Sequence, residues 1–371
     1  MRILEKGSIK YEDDPGLSCN SCPCIVELPS GRWIASFMAV PEKNVCRGMK
    51  AVFTISDDRG VTWRQPAELF DMPDDNGRPF ISRSLFLTLL PSGRILAVFD
   101  AIDNSEPDVL YYRSEEDSIS IKDTYLFRAF SDDDGESFHS LERINTFPID
   151  NPLPLTGAAK VLKNGDILCQ AEENKSTLSN EKWVHKSTAI FSSDNGETFG
   201  NPVYITNTPD MYYWDQRMCV LGDGSIIDMF WTLDGRTGQY ININARESFD
   251  NGRTWGPLWD TGLAAQPGSP SELPDGRLIA ITLDRSGDPV IRLWPSADRG
   301  RTWGEPFEVY RHGGGTQIKD KTIMNDAWDE MAEFSIGHPE TQLLPNGDLL
   351  VYFYAGDHKD RTKIHFVRVA P

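Results

Sequence analysis

A short segment near the middle of the chain, MYYWDQR at 211–217, places several chemically useful side chains next to one another. Asp215 is flanked by Trp214 and Arg217, and Tyr213 precedes the tryptophan. Aromatic rings offer flat faces on which the C–H face of a sugar can stack, and a carboxylate can act as base or nucleophile in glycosidic cleavage. The segment therefore predicts a carbohydrate site in which Asp215 is catalytic and Tyr213, Trp214 and Arg217 bind the substrate.

Glycoside hydrolysis usually needs a second carboxyl group, because one group donates a proton and the other acts as base or nucleophile. Glu340 and Glu42 are candidates for that catalytic partner, and Glu272 is a further candidate that we place among the substrate-binding residues. His338 titrates near neutral pH and can donate or accept a proton. The planar guanidinium of Arg83 suits a carboxylate or sulfate, so we predict that it binds an anionic group.

Two repeated phrases indicate how these residues are positioned. The first, Ser-x-Asp-x-Gly-x-Thr/Ser-aromatic, occurs five times, starting at Ser56, Ser131, Ser192, Ser248 and Ser296. Its Ser and Asp side chains can bond backbone groups of their own turn, its Gly accepts a positive φ, and its aromatic ring can fill the space between sheets. Because five copies cannot all be active sites, we interpret this phrase as scaffold.

The second phrase is a hairpin turn with the sequence pattern Leu-x-x-Gly. It occurs six times between strand-like runs, starting at Leu28, Leu90, Leu162, Leu221, Leu273 and Leu344. Its Ser-Gly, Asn-Gly and Asp-Gly pairs supply the positive φ of a tight turn. Six units of four antiparallel strands predict an all-β fold, a six-bladed β-propeller of four-stranded blades.

The two ends of the chain and one long link complete this prediction. The sixth unit is one strand short, and the alternating N-terminal run RILEKGSIKY can supply that strand. The whole chain, 1–371, is therefore predicted to form a single domain whose ring is closed by the N-terminal strand. The link at 319–334 has the pattern of a short helix, and the segment 311–333 is long enough for a lid, a binding loop or an oligomer contact.

The six inner strands can be aligned on the leucine of the second phrase, which compares the residues at one end of the predicted ring. Seven residues before that leucine lie Ser21, Arg83, Leu155, Trp214, Gln266 and Gly337. One residue later lie Cys22, Ser84, Thr156, Asp215, Pro267 and His338. Asp215 and His338 thus occupy equivalent positions, and we expect them at the same axial cavity.

The first phrase is the Asp-box, and six blades that carry it resemble the sialidase (neuraminidase) superfamily over essentially the whole chain. The resemblance implies a site around the central axis, where the inner strands begin, on the face away from the Asp-boxes. It aligns Ser21 with the family's first carboxylate-binding arginine, Asp215 with its glutamate and His338 with its tyrosine. These three departures predict that ordinary sialic acid hydrolysis does not take place.

Other family positions are matched less directly. The acid–base aspartate of the family lies between the first two strands, where this chain has only Glu42 and Arg47. We accordingly include Glu42 as a catalytic candidate and Arg47 as a substrate-binding one. Arg236 and Arg285 lie near the loops where two further family arginines are expected, and we select Arg285 for the substrate site. The alternatives for these two positions are Arg217, Arg246 and Arg292.

Bulk composition excludes several classes of partner. A net charge of −19 repels phosphate backbones and anionic lipids, so we expect neither nucleic acid nor membrane as a partner. The chain starts without the apolar core of a signal peptide, which predicts a cytoplasmic location. Its six cysteines include one Cys-x-x-Cys without a second, so we predict reduced thiols, no metal site and no cofactor.

Three functions are compatible with these residues. The first is an exo-acting glycoside hydrolase for a small, possibly acidic glycan. The second is a lyase for glycans that contain uronic acids, in which His338 or a tyrosine removes a proton and Arg83 neutralises the carboxylate. The third is a non-catalytic propeller that binds a glycan or a protein.

Overall fold

The computed structural model describes residues 1–72, 74, 77–115, 118–313 and 324–371. Within these ranges nearly all regular structure is β, in strands that alternate with the turns of the two repeated phrases. The exceptions are a 3₁₀ turn at Pro15–Leu17 and one α-helix, α1 (Met324–Ala332), which falls inside the predicted link. Residues 314–323 of the segment for which we predict oligomer contacts lie outside the described residues.

The first half of the chain forms three sheets that each have a path of four hydrogen-bonded antiparallel strands. Sheet 1 contains β2 (Cys19–Glu27), β3 (Trp33–Val40), β4 (Lys50–Ser56) and β5 (Ala67–Glu68). Sheet 2 contains β6 (Phe80–Leu89), β7 (Ile95–Asp103), β10 (Thr124–Ser131) and β11 (His139–Arg143). Sheet 3 contains β12 (Lys160–Val161), β13 (Ile167–Glu173), β15 (Lys186–Ser192) and β16 (Gly200–Tyr204). A small accessory sheet is built from β8 (Tyr112–Glu115), β9 (Ser118–Ile121) and β14 (Lys175–Ser176).

The second half repeats this organisation. Sheet 4 contains β17 (Met211–Val220), β18 (Ile226–Asp234), β20 (Asn244–Ser248) and β21 (Trp259–Asp260), with β19 (Gln239–Tyr240) beside β18. Sheet 5 contains β22 (Gln266–Pro267), β23 (Ser271–Glu272), β24 (Leu278–Asp284), β25 (Val290–Ser296) and β26 (Phe307–Arg311). Sheet 6 contains β27 (Ile336–Leu343), β28 (Leu349–His358), β29 (Arg361–Ala370) and, at its edge, the N-terminal β1 (Arg2–Ser8).

Neighbouring sheets are held together by shared hydrophobic clusters. Leu168 of sheet 3 packs in one cluster with Phe230 of sheet 4, and Ile281 of sheet 5 packs in another with Val351 of sheet 6. Sheet 6 also packs on sheet 1, where Trp33 is 1% exposed and meets Phe366 edge-on with ring centroids 5.3 Å apart. Removing a buried ring of this size costs about 3–5 kcal/mol, so these contacts are a major source of stability.

The five copies of the first phrase form turns with the same internal hydrogen bonds, and we call them the repeat turns. In each, the serine Oγ accepts the backbone N–H of the glycine over 2.7–2.9 Å. The aspartate Oδ2 accepts the hydroxyl of the following Thr or Ser over 2.5–2.6 Å. The glycine φ lies between 78° and 92°, a region that favours glycine. The polar side chains are thus bonded within their own turns.

The inner strands of four sheets are irregular at the end opposite their hairpin turns. The pairing register shifts between Ser21 and Cys24, Ser82 and Leu85, Trp214 and Arg217, and Gly337 and Glu340. Three residues in these bulges have left-handed backbones, with φ of 50° at Cys22, 49° at Asp215 and 45° at His338. A bulge turns a side chain away from its regular direction, and such strain is concentrated at functional sites.

Candidate functional site

A cavity of about 240 Å³ lies where the bulged ends of the inner strands meet. Its wall includes residues of β2, β6, β17, β24–β25 loop, β27 and α1. Seven of the eleven residues that the sequence nominates line this cavity: Arg83, Trp214, Asp215, Arg217, Arg285, His338 and Glu340. Residues that are as many as 257 positions apart in sequence are therefore brought together here, as with Arg83 and Glu340.

The other four nominated residues do not line the cavity. Arg47 is on the surface and its guanidinium forms two hydrogen bonds with Asp108, at 2.8 and 2.6 Å. Glu42 is exposed in the β3–β4 loop, where its backbone carbonyl accepts the N–H of Val45. A local turn thus holds Glu42, and an exposed carboxylate holds Arg47, so neither is brought to the axis.

Tyr213 and Glu272 are separated from the cavity by strand geometry. Successive side chains of a strand point to opposite faces, so Tyr213 packs between sheets 3 and 4, with its ring centroid 5.6 Å from that of Phe230. Glu272 lies at the hairpin end of its inner strand, and its carboxylate accepts the backbone N–H of Gly222 in the next sheet. Glu272 therefore lies at the end of the inner strand that is away from the cavity.

Asp215 is held as an anion inside the cavity. Gln266 Nε2 donates to its Oδ2 over 2.6 Å, and Arg217 Nη2 lies 3.4 Å from its Oδ1. Its backbone N–H donates to the carboxylate of Glu172 on the neighbouring sheet, which fixes the bulge. Burial raises the pKa of Asp215, but Arg217, His338 and the Gln266 hydrogen bond outweigh it, so the pKa lies below its ordinary value.

His338 contacts Cys22 across the junction of sheets 6 and 1. The backbone N–H of Cys22 donates to His338 Nδ1 over 3.2 Å, which places the imidazole beside Cys22 in the cavity wall. Burial lowers the pKa of His338, but the Cys22 thiol and the Asp215 carboxylate raise it by a larger amount, so the pKa lies above its ordinary value. Asp215 and His338 thus form a pair whose pKa values are pushed apart, as acid–base pairs require.

Arg217 joins two carboxylates from different sheets. Its Nε lies 3.1 Å from Glu340 Oε1, and the other Glu340 oxygen accepts the backbone N–H of Ser269 over 2.9 Å. Arg217 is 2% exposed, and its Nε and Nη1 have no hydrogen-bond partner among the described residues. Since Arg217 also contacts Asp215, its charge stabilises both carboxylates, and Glu340 combines this ion pair with the hydrogen bond from Ser269.

Arg83 is neutralised by a carboxylate that the sequence analysis does not single out. Its Nε and Nη2 donate to Asp100 Oδ2 over 2.9 and 2.6 Å, and Asp100 is fully buried. Asp100 Oδ1 in turn accepts the backbone N–H of Ser84 over 2.7 Å, which ties the pair to the β6 bulge. The Arg83 guanidinium lies 4.8 Å from the ring centroid of Tyr111. Its planar group is therefore fixed at the cavity wall.

Two cations of the cavity wall have no ion-pair partner within the described part of the chain, Arg285 and Lys43. Arg285 is 2% exposed, donates to Gln266 Oε1 and to the Ile336 carbonyl over 2.7 Å each, and leaves its Nε without a hydrogen bond. Lys43 donates to the Phe334 carbonyl. Burial lowers the pKa of both groups, that of Lys43 to about 8. Buried cations are costly without an anion, so this part of the wall is suited to an anionic ligand.

Aromatic rings form another part of the wall, which adjoins Arg285, since the Arg285 guanidinium lies 3.9 Å from the ring centroid of Phe334. Trp328 reaches the cavity from α1, with its ring centroid 5.5 Å from that of Trp214 and 5.3 Å from that of Tyr112. Trp231 and Phe334 also line the cavity. The helix in the long link thus contributes an aromatic surface on which a sugar ring can stack.

Several cavity residues escape the sequence analysis: Cys22, Lys43, Glu172 and Tyr354. The alignment of inner strands does contain a signal for Cys22, because it places this residue at the position of Asp215 and His338. The other three lie outside the aligned positions and reach the cavity from β28, from loops or from the far end of β13.

Among the described residues, no group of three or more His, Cys, Asp or Glu side chains is arranged to hold a metal ion. No helix in that same part of the chain is long and apolar enough to cross a membrane.

Comparison with known proteins identifies similar solved structures. A protein of unknown function from Dyadobacter fermentans matches with a TM-score of 0.75 and 18% identity, covering 100% of this chain and 98% of that chain. The intramolecular trans-sialidase from Ruminococcus gnavus, in complex with oseltamivir carboxylate, matches with a TM-score of 0.66 and 15% identity, covering 98% of this chain and 97% of that chain. The α-L-arabinanase of Penicillium chrysogenum, complexed with arabinobiose, matches with a TM-score of 0.64 and 15% identity, covering 100% of this chain and 99% of that chain.

No protein-family model and no curated protein sequence matches this chain. The sequence identities to these solved structures, 14–18%, are low, so the similarity concerns the fold alone. The similar structures include sialidases and an arabinanase, and the likeness supports the predicted propeller class through nearly the full length of the chain.

Proposed function

We propose that the chain is a single-domain, six-bladed propeller and an exo-acting glycoside hydrolase for a small acidic glycan, distinct from an ordinary sialidase. The observation that carries this proposal is the joint presence, in one cavity, of an ionised carboxylate, a histidine of raised pKa and two cations that have no carboxylate partner in the described part of the chain.

The acid and base roles follow from the pKa directions. Asp215, whose pKa is lowered, is the anion that acts as base or nucleophile at the sugar. His338, whose pKa is raised, donates the proton that the leaving oxygen takes as the glycosidic C–O bond breaks. Glu340, the ion-pair partner of Arg217, holds that guanidinium in place.

The shape and charge of the cavity support the substrate class. At about 240 Å³ the cavity is smaller than most ligand pockets, which favours one terminal sugar rather than an internal stretch of polymer. Arg285 and Lys43 provide the positive charge that a sugar carboxylate or sulfate requires. The aromatic surface of Trp214 and Trp328 is suited to the opposite face of the ring.

The comparisons support a glycan-acting propeller, because sialidases and an arabinanase are among the similar structures. The site itself argues against ordinary sialidase activity. Ser21 stands where the resemblance to sialidases expects an arginine, and His338 stands where it expects a tyrosine. The anion-binding charge here comes from Arg285 and Lys43 instead.

The test is a panel of glycosides that includes sialosides, uronides and rhamnosides, incubated with the purified protein while released sugar is followed by NMR. We expect turnover of an acidic glycoside, and its loss in Asp215→Ala. Turnover of sialosides as the best substrates would contradict our interpretation of Ser21 and His338. Equal turnover by Asp215→Ala would remove Asp215 from the mechanism.

A lyase is the second candidate, and the feature that suggests it is Tyr354, a tyrosine of the cavity wall whose pKa is raised by burial. The Tyr354 ring lies 5.5 Å from Lys43 Nζ and has its centroid 5.5 Å from that of His338. A uronate carboxylate neutralised by Lys43 and Arg285 would place an acidic C–H near that tyrosine. The same panel separates the two reactions, since a lyase product contains an unsaturated sugar that absorbs ultraviolet light and a hydrolase product does not.

A non-catalytic binding protein is the third possibility. It would be favoured if Asp215 and His338 were bonded only to backbone or faced away from the cavity. Both line the cavity, and Asp215 contacts the side chains of Gln266 and Arg217, whereas the hydrogen bond of His338 is with the Cys22 backbone. Binding of acidic sugars without turnover of any panel member would establish this alternative.

A further inference from the structure

Cys22 is a half-buried thiol in the wall of the cavity, at the bulge of the first inner strand. Its left-handed backbone, with φ of 50°, places it at the position that Asp215 and His338 occupy in their own sheets. All three strained residues face the same cavity. The bulge at Cys22 therefore has the same geometric effect as the two bulges that carry the acid–base pair.

The thiol is surrounded by groups that favour its anionic form. The His338 ring adjoins Cys22, because its Nδ1 accepts the Cys22 backbone N–H over 3.2 Å. His338 and the Arg83 guanidinium both act electrostatically on the thiol in the direction that lowers its pKa. Arg217, whose Nη1 is unbonded among the described residues, also interacts electrostatically with it. A cysteine beside a histidine and arginines in an accessible pocket is the arrangement that activates thiols as nucleophiles.

We propose that Cys22 is a second reactive centre of the cavity, a nucleophilic thiol activated by His338 that attacks small electrophiles carrying a carboxylate. The assignment of the carboxylate rests on the proposed function, because the same cations, Arg285 and Lys43, would orient it. The nucleophilicity of the thiol stands on the Cys22–His338 contact and does not require glycoside turnover.

Iodoacetate, an alkylating agent that bears a carboxylate, is a suitable electrophile for this reaction. His338 takes the thiol proton, and the sulfur lone pair attacks the carbon that bears iodine. The S–C bond forms as the C–I bond breaks, and iodide leaves with the bonding pair. No oxidant or further reactant is needed, and the product is a carboxymethyl group on Cys22 that occupies the cavity.

The other cysteines differ from Cys22 in the direction of their pKa shifts. Burial raises the pKa of Cys22, but His338 and the Arg83 charge outweigh it and lower the pKa to about 7. Burial raises the pKa of Cys219 to about 11, although this thiol is also half-buried. The charged and titratable groups around Cys22 come from four other strands: Arg83, Asp215, Arg217, His338 and Tyr354.

The test is alkylation of the native full-length protein at pH 7, with the modified cysteines quantified by mass spectrometry of peptides. Cys219 is the control within each molecule. We expect Cys22 to react about 10 to 100 times faster than Cys219, because its higher thiolate fraction exceeds the loss of intrinsic nucleophilicity that comes with a lower pKa. The rate at Cys22 should rise with a midpoint near pH 7.

Comparison of iodoacetate with iodoacetamide tests the anion preference, since the two differ only in the charge of the group beside the reactive carbon. We expect iodoacetate to react about tenfold faster at Cys22, reflecting hydrogen bonds to charged groups, and no faster at Cys219. In Arg285→Met the preference should disappear while iodoacetamide still labels Cys22. In His338→Gln both reagents should react slowly at Cys22.

Equal labelling of Cys22 and Cys219 in the folded protein, or a Cys22 midpoint near that of an ordinary thiol, would overturn the proposal. So would faster reaction of Cys22 with the neutral reagent. Circular dichroism of each variant checks that it is folded. Selective labelling of Cys22 without turnover of any glycoside would refute the proposed function alone, and turnover with an unreactive Cys22 would refute this inference alone.

Discussion

The repeat turns and the cavity ends of the inner strands are built on opposite principles. The five repeat turns have the same residues, and their Ser and Asp side chains bond the backbone of the turn itself. At the cavity end, equivalent positions carry Cys22, Asp215 and His338, and their side chains contact residues of other sheets. Repetition with local bonding therefore marks scaffold, and variation with contacts between sheets marks the candidate site.

This difference can be tested by asking which of the two regions, the repeat turns or the cavity ends, controls turnover and which controls stability. The largest expected effect is on turnover. Asp215→Asn keeps the size of the side chain and its capacity to bond Gln266 but removes the negative charge. We expect kcat/KM for the acidic substrate to fall about 10³-fold, within the range of an essential acid or base and its charge stabilisation.

The control is the unfolding midpoint of the same variant, measured by denaturant titration. We expect only a small change, because the amide can replace the carboxylate in the contact with Gln266. A variant as active as wild type would show that the cavity end is not specialised for chemistry.

A second substitution sharpens the comparison within the cavity. Arg285→Met removes a buried cation that has no carboxylate partner among the described residues but retains an unbranched apolar stem. We expect the KM of the acidic substrate to rise about 10- to 100-fold, as for the loss of hydrogen bonds to a charged group, with a smaller effect on a neutral glycoside. Steady-state kinetics with both substrates provide the measurement, and an equal effect on both would contradict an anion-binding role.

Much of the fold can be predicted from the sequence because its signals are local and repeated. The Gly-containing turns and the alternating strands recur in every unit, so their interpretation does not depend on any single position. The alignment on the leucine of the hairpin turns also places Asp215 and His338 together at one end. Side-chain alternation is equally local, and it separates Tyr213 from Trp214 once the strand is known.

The rest of the site depends on contacts between distant segments. Arg47 has the right residue type in the right loop, but Asp108, in another loop, holds it at the surface. Lys43 and Tyr354 reach the cavity from a loop and a second strand that carry no repeated motif. The left-handed bulges, too, are not marked by glycine, so the activation of Cys22 cannot be recognised from its residue type.

The repeat turns should affect stability more than turnover. Asp250→Ala removes the acceptor of three hydrogen bonds, from Ser248, the Thr254 backbone and the Thr254 hydroxyl. We expect the free energy of unfolding to fall by about 1–2 kcal/mol, with kcat/KM unchanged. Denaturant titration and kinetics of the same preparation test this, and a loss of turnover in the folded variant would show that the turns also serve the site.

The smallest effect concerns pH. Hydrogen bonds from Ser137 lower the pKa of Asp133 from 3.8 to about 2, because their effect is larger than the opposing effect of burial. A carboxyl whose folded pKa lies below its unfolded pKa stabilises the protein above the unfolded value, and this contribution is lost as pH falls through the folded value. The stability difference between wild type and Asp133→Asn should therefore be largest above pH 4 and disappear near pH 2. A difference that does not change with pH would contradict this assignment.

The central claim is that the cavity cleaves glycans that carry an anionic group. Its most direct test is the ratio of kcat/KM for a uronide to that for the matched neutral glycoside, which differs only in having an alcohol in place of the carboxylate. Should the preferred sugar be another acid, the same comparison applies with its own alcohol. We predict a ratio of about 100 or more, from two charged contacts, and a ratio near one, or a preference for the neutral glycoside, would contradict the claim.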